Sequence, residues 1–269
     1  MSAHDSILSL PNGPVRVHIH GDSGPALFWT HGMFHPIDVD DRSALGPVFE
    51  HIPGWRVVRY DTRGQGRTPA ADNDLDHRWD RLGLELLALA DALHIDRFVA
   101  GGISMGAAIT LHAALAAPER VAAMILLATP TAWQTRPAAI ESYSHLASLE
   151  SPRAVAEQVE RDLERDMPDG AIPAPLRFML DQLALADRVA LGRVLRAAAE
   201  SDLPPREALR SLDVPALLLP WIDDPGHPIE TAIALDETLP DSTMVTLQGV
   251  TDTELIERSI QQFLERIAI

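Results

Sequence analysis

The sequence predicts an α/β protein: a mainly parallel eight-stranded sheet flanked by helices, with a helical segment inserted before the last strands. Three observations carry that expectation. The runs Ala26 to Thr30, Val121 to Ala128 and Pro215 to Leu219 are apolar throughout rather than alternating, the pattern of strands buried on both faces. Helical periodicity returns between such runs, so crossovers rather than hairpins join them. From Thr129 to about Arg210 no strand is legible. That stretch holds helix-like segments with apolar residues at helical spacing, as at Leu176, Met179, Leu180 and Leu183, broken at Pro137, Pro152, Pro168, Pro173, Pro175, Pro204 and Pro205. The predicted division is a core of residues 1–128 and 211–269 and a helical lid of residues 129–210.

In chain order, Ile7 to Leu10, the turn Pro11-Asn12-Gly13-Pro14 and the alternating Val15 to His20 read as an antiparallel hairpin, with His18 and His20 on an exposed face. After the strand Ala26 to Thr30 come a helix from Asp41 to His51, the strand Trp55 to Tyr60, a glycine-rich loop from Asp61 to Thr68, and a long amphipathic helix from Arg78 to Leu93. Beyond the lid, Pro215 to Leu219 is a strand, Pro228 to Leu239 a helix, Thr243 to Leu247 a strand, and Thr253 to Ile267 a terminal helix.

Composition narrows the function classes. At 269 residues, 46% hydrophobic and 23% charged, the chain suits one large α/β domain. The net charge of −17, with arginine as the only fixed cation, argues against nucleic acid, whose phosphates need a basic face. Lysine Schiff-base chemistry and a phosphate-loop lysine are excluded outright. The lack of cysteine excludes disulfides, thiolate catalysis and a cysteine zinc site. No His-Glu-x-x-His pattern occurs, so neither a metal nor an organic cofactor is expected. Met1 to Ser6 shows no basic segment followed by an apolar core, and no apolar run approaches membrane-spanning length. The expectation is a cytoplasmic enzyme with a small-molecule substrate and no membrane partner, with a homodimer left open.

The chemistry-bearing stretch is Gly102-Ile103-Ser104-Met105-Gly106, a Gly-x-Ser-x-Gly motif with a β-prone run before it and a small-residue helical run, Ala107 to Leu115, after it. A serine on a sharp strand-to-helix turn needs neighbours nearly free of side chains, because strand and helix cross closely there.

Three landmarks together resemble the α/β-hydrolase superfamily: His31-Gly32 after an early strand, Asp61-x-Arg63-Gly64-x-Gly66 after the next parallel strand, and the Gly102-x-Ser104-x-Gly106 elbow. Asp224-Pro225 resembles the place where such enzymes carry the acid of a catalytic triad. The closest resemblance is to lid-bearing bacterial esterases, enol-lactonases and carbon–carbon bond hydrolases; the serine sets the chain apart from dehalogenases and epoxide hydrolases that use an aspartate. The resemblance implies the α/β-hydrolase fold and Ser104 as nucleophile. It also implies an oxyanion hole formed by the Met33 and Met105 amides, donors of about 3 kcal/mol each in a transition state. His31 reads as a structural brace, and Asp61 and Arg63 read as a pair.

One expected residue is missing. The superfamily places its catalytic histidine after the last strand, where this chain has Val250, and no histidine follows His227. A serine without a base is a poor nucleophile at neutral pH. His227, three residues beyond Asp224, is the replacement favoured here, with Gly226 folding the imidazole back onto Asp224 or Asp223. His35 is the second candidate; His112 reads as packed and His145 as a lid residue near substrate. Phe34, His35, Trp133, Tyr143 and Phe178 are the expected substrate-lining residues. The implied activity is hydrolysis of a small, apolar ester, lactone or related carbonyl compound, the alternatives being a lyase or cyclase, or a binding protein, on the same fold.

Overall fold

The computed structural model describes residues 3–50, 52–166, 172–267 and 269. The first two residues of the amino-terminal reading, the predicted helix end at His51 and the predicted break at Pro168 lie outside them. The chain opens with β1 (Ala3–Leu10) and β2 (Gly13–His20), joined by the two-residue turn Pro11-Asn12, after which Gly13 takes φ +113°. There follow β3 (Ala26–Thr30), α1 (Ile37–Asp40), α2 (Gly46–Glu50), β4 (Arg56–Tyr60), α3 (Trp79–Ala92), β5 (Phe98–Ile103), α4 (Met105–Ala116) and β6 (Val121–Leu127). Five helices come next: α5 (Arg136–Ser148), α6 (Pro152–Asp166), α7 (Ala174–Ala184), α8 (Arg188–Ala199) and α9 (Arg206–Leu209). The chain closes with β7 (Ala216–Leu219), α10 (Ile229–Asp236), β8 (Ser242–Met244) and α11 (Thr253–Leu264).

The strands form one eight-stranded sheet in the order β1-β2-β4-β3-β5-β6-β7-β8, antiparallel at β1–β2 and β2–β4 and parallel from β4 onward. The continuously apolar strands are the central ones, as burial on both faces requires. Phe28, Ala100, Met124 and Leu218 face a cluster completed by α3 and α4; Trp29, Val99, Ile125 and Leu217 face one completed by α2 and α11. A third cluster, with Leu146, Val155, Met179, Leu183, Leu191 and Leu195, lies among α5 to α8 and takes in Val39 of α1. The inserted helices therefore have a core of their own. Their link to the sheet layer runs through Arg136, buried, which donates to the Ser201 carbonyl at 2.7 Å and to the Ala198 carbonyl and stacks 4.3 Å from the Trp79 ring.

Several local expectations change. The helix predicted over 41–51 is reduced to α2, with α1 lying before it, because the Ser43 hydroxyl accepts from the Leu45 and Gly46 amides (3.1 and 3.2 Å) and the chain folds back at Gly46. A Cβ there would strike the Asp40 carbonyl. His18 and His20 are half-buried rather than exposed. Arg59, opposite His18 in the β2–β4 pair, is gripped by Asp40 and Asp41 of the 37–41 segment, which covers that face. The last strand is shorter than predicted, ending at Met244, with one isolated parallel bridge between Trp221 and Leu247 beyond it.

Candidate active site

The elbow is held by steric necessity. Ser104 has φ +55° and ψ −116°, a strained conformation for a residue with a Cβ, tied down by its amide donating to the Leu127 carbonyl of β6 at 3.1 Å. A Cβ on Gly102 would collide with the Gly106 backbone, and one on Gly106 with the Thr30 carbonyl of β3. The serine thus stands at the carboxyl end of the central strand, with α4 beginning at Met105. Replacing Gly106 by alanine is expected to destabilise the fold by more than the usual overpacking cost of about 1–3 kcal/mol, since the obstacle is backbone. A chemical unfolding curve checks this, and an unchanged midpoint would refute it.

Ser104, His227 and Asp224 meet in one line. The Ser104 hydroxyl lies 2.8 Å from His227 Nε2, and His227 Nδ1 lies 2.7 Å from Asp224 Oδ2. Since an ionised carboxylate only accepts, Nδ1 carries the proton and Nε2 is free to accept the serine's. Asp224 receives further donors: the Trp221 indole at 2.6 Å on Oδ2, and the Gly226 and His227 amides at 2.9 and 3.3 Å on Oδ1. Burial opposes its ionisation, but hydrogen bonding and charge from His227, with the Trp221 indole and Gly226 amide, outweigh this and hold the carboxyl well below the usual carboxylate range. Asp223 is exposed and is not the partner. The fold-back is not made by a left-handed Gly226: Asp223 takes φ +58°, and the Gly226 amide closes on the Asp224 side chain as an Asx turn. Val250, in the place of the superfamily histidine, is 41% exposed.

The loop after β3 runs beside the serine, so that a Cβ on Gly32 would lie 3.6 Å from Ser104 Cβ. Met33 follows directly, and Met105, first residue of α4, offers one of the first-turn amides that a helix leaves without an internal partner. His31 is buried with its Nδ1 donating to the Gly32 carbonyl at 2.7 Å and its Nε2 accepting from the Thr62 amide at 3.0 Å. Burial depresses its basicity.

The other expected residues are spread more widely. Phe34, half-buried with φ +66°, and Gln65 line a cavity of about 560 Å³ between the 64–70 turn and α7–α8, with Leu183, Leu191 and Val194 on the far side. His35 sits against the Met33 carbonyl (Nδ1 at 3.1 Å), not against Ser104. Tyr143 packs between the sheet-side and inserted-helix clusters, and burial pushes its phenol up against the opposing pull of Arg136. Trp133 donates its indole to the Pro204 carbonyl at 3.1 Å, and Phe178 is capped by the Arg42 guanidinium 3.8 Å from its centroid. His112 bonds the Asp202 carbonyl at 2.9 Å, and His145 is exposed. Asp61 and Arg63 do not pair with each other. Asp61 accepts from the Ile37 and Arg67 amides and from Arg16, while Arg63 pairs with buried Glu85 at 2.6 Å, because Arg63 points towards α3 and Asp61 back under the 32–38 loop.

Sequence reasoning passed over Trp221, whose only signal was an indole three residues before the acid, and Gln65, read only as part of a turn. Among the described residues no group of three or more His, Asp or Glu is placed to hold a metal ion, and no helix is long and apolar enough to cross a membrane.

A family model described as the alpha/beta hydrolase fold matches residues 25–251, from the start of β3 past the end of β8. The chain belongs to that family. Among relatives of this alpha/beta hydrolase, the RutD protein of Pseudomonas savastanoi, named for carbamate hydrolysis, is 27% identical, with 94% of each chain covered. The 3-oxoadipate enol-lactonase 2 of Acinetobacter baylyi is 28% identical over 72% of this chain and 70% of its own length. The solved enol-lactonase of Burkholderia xenovorans superposes with a TM-score of 0.77 at 20% identity, covering 97% of this chain and all 100% of that one, and so shares the fold. This alpha/beta hydrolase is an enzyme of the hydrolase class by family and by relatives.

Proposed function

We propose that this alpha/beta hydrolase is a serine hydrolase that works through an acyl-enzyme on Ser104, with His227 as base and Asp224 as its orienting acid. The observation that carries the reading is the unbroken line from Ser104 Oγ through His227 to Asp224, at 2.8 and 2.7 Å. In the forward step Ser104 Oγ attacks the carbonyl carbon and its proton passes to His227 Nε2; the imidazolium is stabilised by the ionised Asp224. The oxyanion is received by the Met33 and Met105 amides. His227 then returns the proton to the leaving oxygen or nitrogen. Water, activated by the same imidazole, adds to the acyl carbon and releases Ser104. The balance needs no metal or organic cofactor.

The lyase, cyclase and binding alternatives drew their support from the missing carboxyl-terminal histidine. A base on the acid's own loop removes that support. For substrate we infer a small ester, lactone or related carbonyl compound whose apolar part occupies the space beneath residues 129–210 acting as a lid. The cavity beside Phe34 is of the size that holds small organic ligands; Ser104 and His227 are not among its lining residues, and Phe34 and Gln65 connect it to the loop that carries Met33. Arg67 at its rim is already bridged to Asp38 at 3.0 Å, so no unpaired cation there selects an anionic substrate. The enol-lactonase relative favours an ester-type carbonyl; the carbamate-named relative extends the class to a nitrogen leaving group. A fluorophosphonate probe tests the mechanism: it is expected to label Ser104 stoichiometrically, as read by intact mass. An unlabelled, folded protein would refute an activated serine.

A further inference from the structure

We infer that Gln65 is a positioning residue for the oxyanion hole, acting through the backbone on either side of Met33; this rests on the serine-hydrolase reading above. Two peptide groups flank Met33. In the first, between Gly32 and Met33, the carbonyl is gripped by the His31 ring (2.7 Å) and the His35 amide (3.1 Å). A trans peptide is planar, so its N–H points opposite to its C=O. Holding the Gly32 carbonyl on one side therefore turns the Met33 N–H to the other.

The second peptide, between Met33 and Phe34, is held at both ends as well. Its carbonyl receives His35 Nδ1 at 3.1 Å, and its N–H donates to Gln65 Oε1 at 2.8 Å. This second grip works against a local preference. Phe34 has φ +66°, a left-handed backbone that a bulky residue keeps only where its surroundings over-determine it. Rotating the Met33–Phe34 peptide would restore an ordinary φ, and it would also tear the Phe34 N–H from Gln65. The carboxamide of Gln65 is thus what opposes the relaxation that would let Met33 swing.

Gln65 is itself fixed. It is 9% exposed, and its Nε2 donates to Thr62 Oγ1 at 3.0 Å and lies 3.6 Å from the Met105 sulfur. Thr62 in turn donates its amide to His31 Nε2 at 3.0 Å. One chain of contacts, His31–Thr62–Gln65–Phe34, closes around Met33, and Gln65 also meets the Met105 side chain at its sulfur, while the Met105 amide itself is placed by the start of α4. The glycine-rich turn supplies this, since Gly64 and Gly66 take φ +79° and +57° on either side of Gln65 and lay its side chain across the loop.

The test compares wild type with Gln65→Met, which keeps length and bulk but loses both amide functions, and with Gln65→Asn, which keeps the functions out of reach. Three quantities are read: kcat and KM on an accepted ester, affinity for an alkyl boronic acid that forms a tetrahedral serine adduct, and hydrogen exchange at the Phe34 amide. Deleting an oxyanion donor outright costs about 10²–10³ in kcat, so a misaimed donor is expected to cost about 10–100-fold with KM nearly unchanged. Boronate affinity should fall by the same factor, and the Phe34 amide should exchange faster. Unchanged kcat and boronate affinity in a folded variant overturn the inference, as does a kcat loss with the Phe34 amide still protected. Should Gln65→Met not fold, Gln65→Asn carries the same comparison. Activity that survives Ser104→Ala would refute the parent reading instead. In that case the Phe34 exchange alone decides whether Gln65 clamps the loop: faster exchange supports it and unchanged exchange overturns it.

Discussion

Ser104→Ala is expected to abolish turnover of every ester the wild-type chain accepts while leaving the thermal midpoint almost unmoved. The loss of activity is total in this mechanism because no second nucleophile stands in line with His227. Stability is spared because what maintains the elbow is backbone: the Ser104 amide on the Leu127 carbonyl, and the glycines that let α4 cross β3 and β5. The hydroxyl itself is half-buried and contributes one side-chain hydrogen bond, to His227, worth about 1 kcal/mol. Alanine at φ +55° is no more strained than serine, so no new cost appears. Initial rates and a melting curve on the same preparation check both halves, and residual turnover above background would remove the acyl-enzyme from consideration.

His227→Ala is expected to lower kcat by about a hundredfold to ten-thousandfold, the usual worth of a positioned general base. The pH dependence carried by Asp224 has a definite sign. Its donors hold the carboxyl ionised well below the ordinary carboxylate range. A carboxyl with a depressed folded value contributes stability above the ordinary carboxylate range and loses that contribution as pH drops through its folded value. Wild-type kcat in a folded His227→Ala chain would mean that another group is the base.

The departure from the superfamily pattern has a structural cost that the loop meets locally. In the usual arrangement acid and base come from different loops, so the sheet sets their distance. Here the proposed acid and base, Asp224 and His227, are three residues apart, and the turn sets their distance. Asp223 at φ +58° and the Asx turn at Gly226 bring the ring back within 2.7 Å of its own loop's carboxylate, while Trp221 fixes that carboxylate from the strand side. Pro228, at the N-cap of α10, stops the loop directly after the histidine.

Much of this was readable in one dimension. Burial on both faces writes itself as unbroken apolar runs, so the central strands and their parallel sense follow from local composition. The elbow is equally legible, because the crossing of strand and helix admits only glycine at Gly102 and Gly106. The helical character of 129–210 and the nearness of His227 to Asp224 are matters of spacing along the chain. What spacing does not determine is which donor meets which acceptor across the assembled sheet. Ser104 and His227 are 123 positions apart and touch only because β5, β6 and β7 lie side by side in register. The choice of Asp224 over Asp223, the pairing of Arg63 with Glu85 rather than Asp61, and the reach of Gln65 to Phe34 are decisions of the same kind. Each is a directional hydrogen bond or ion pair whose partner is placed by packing, and a sequence specifies that partner only through the whole fold.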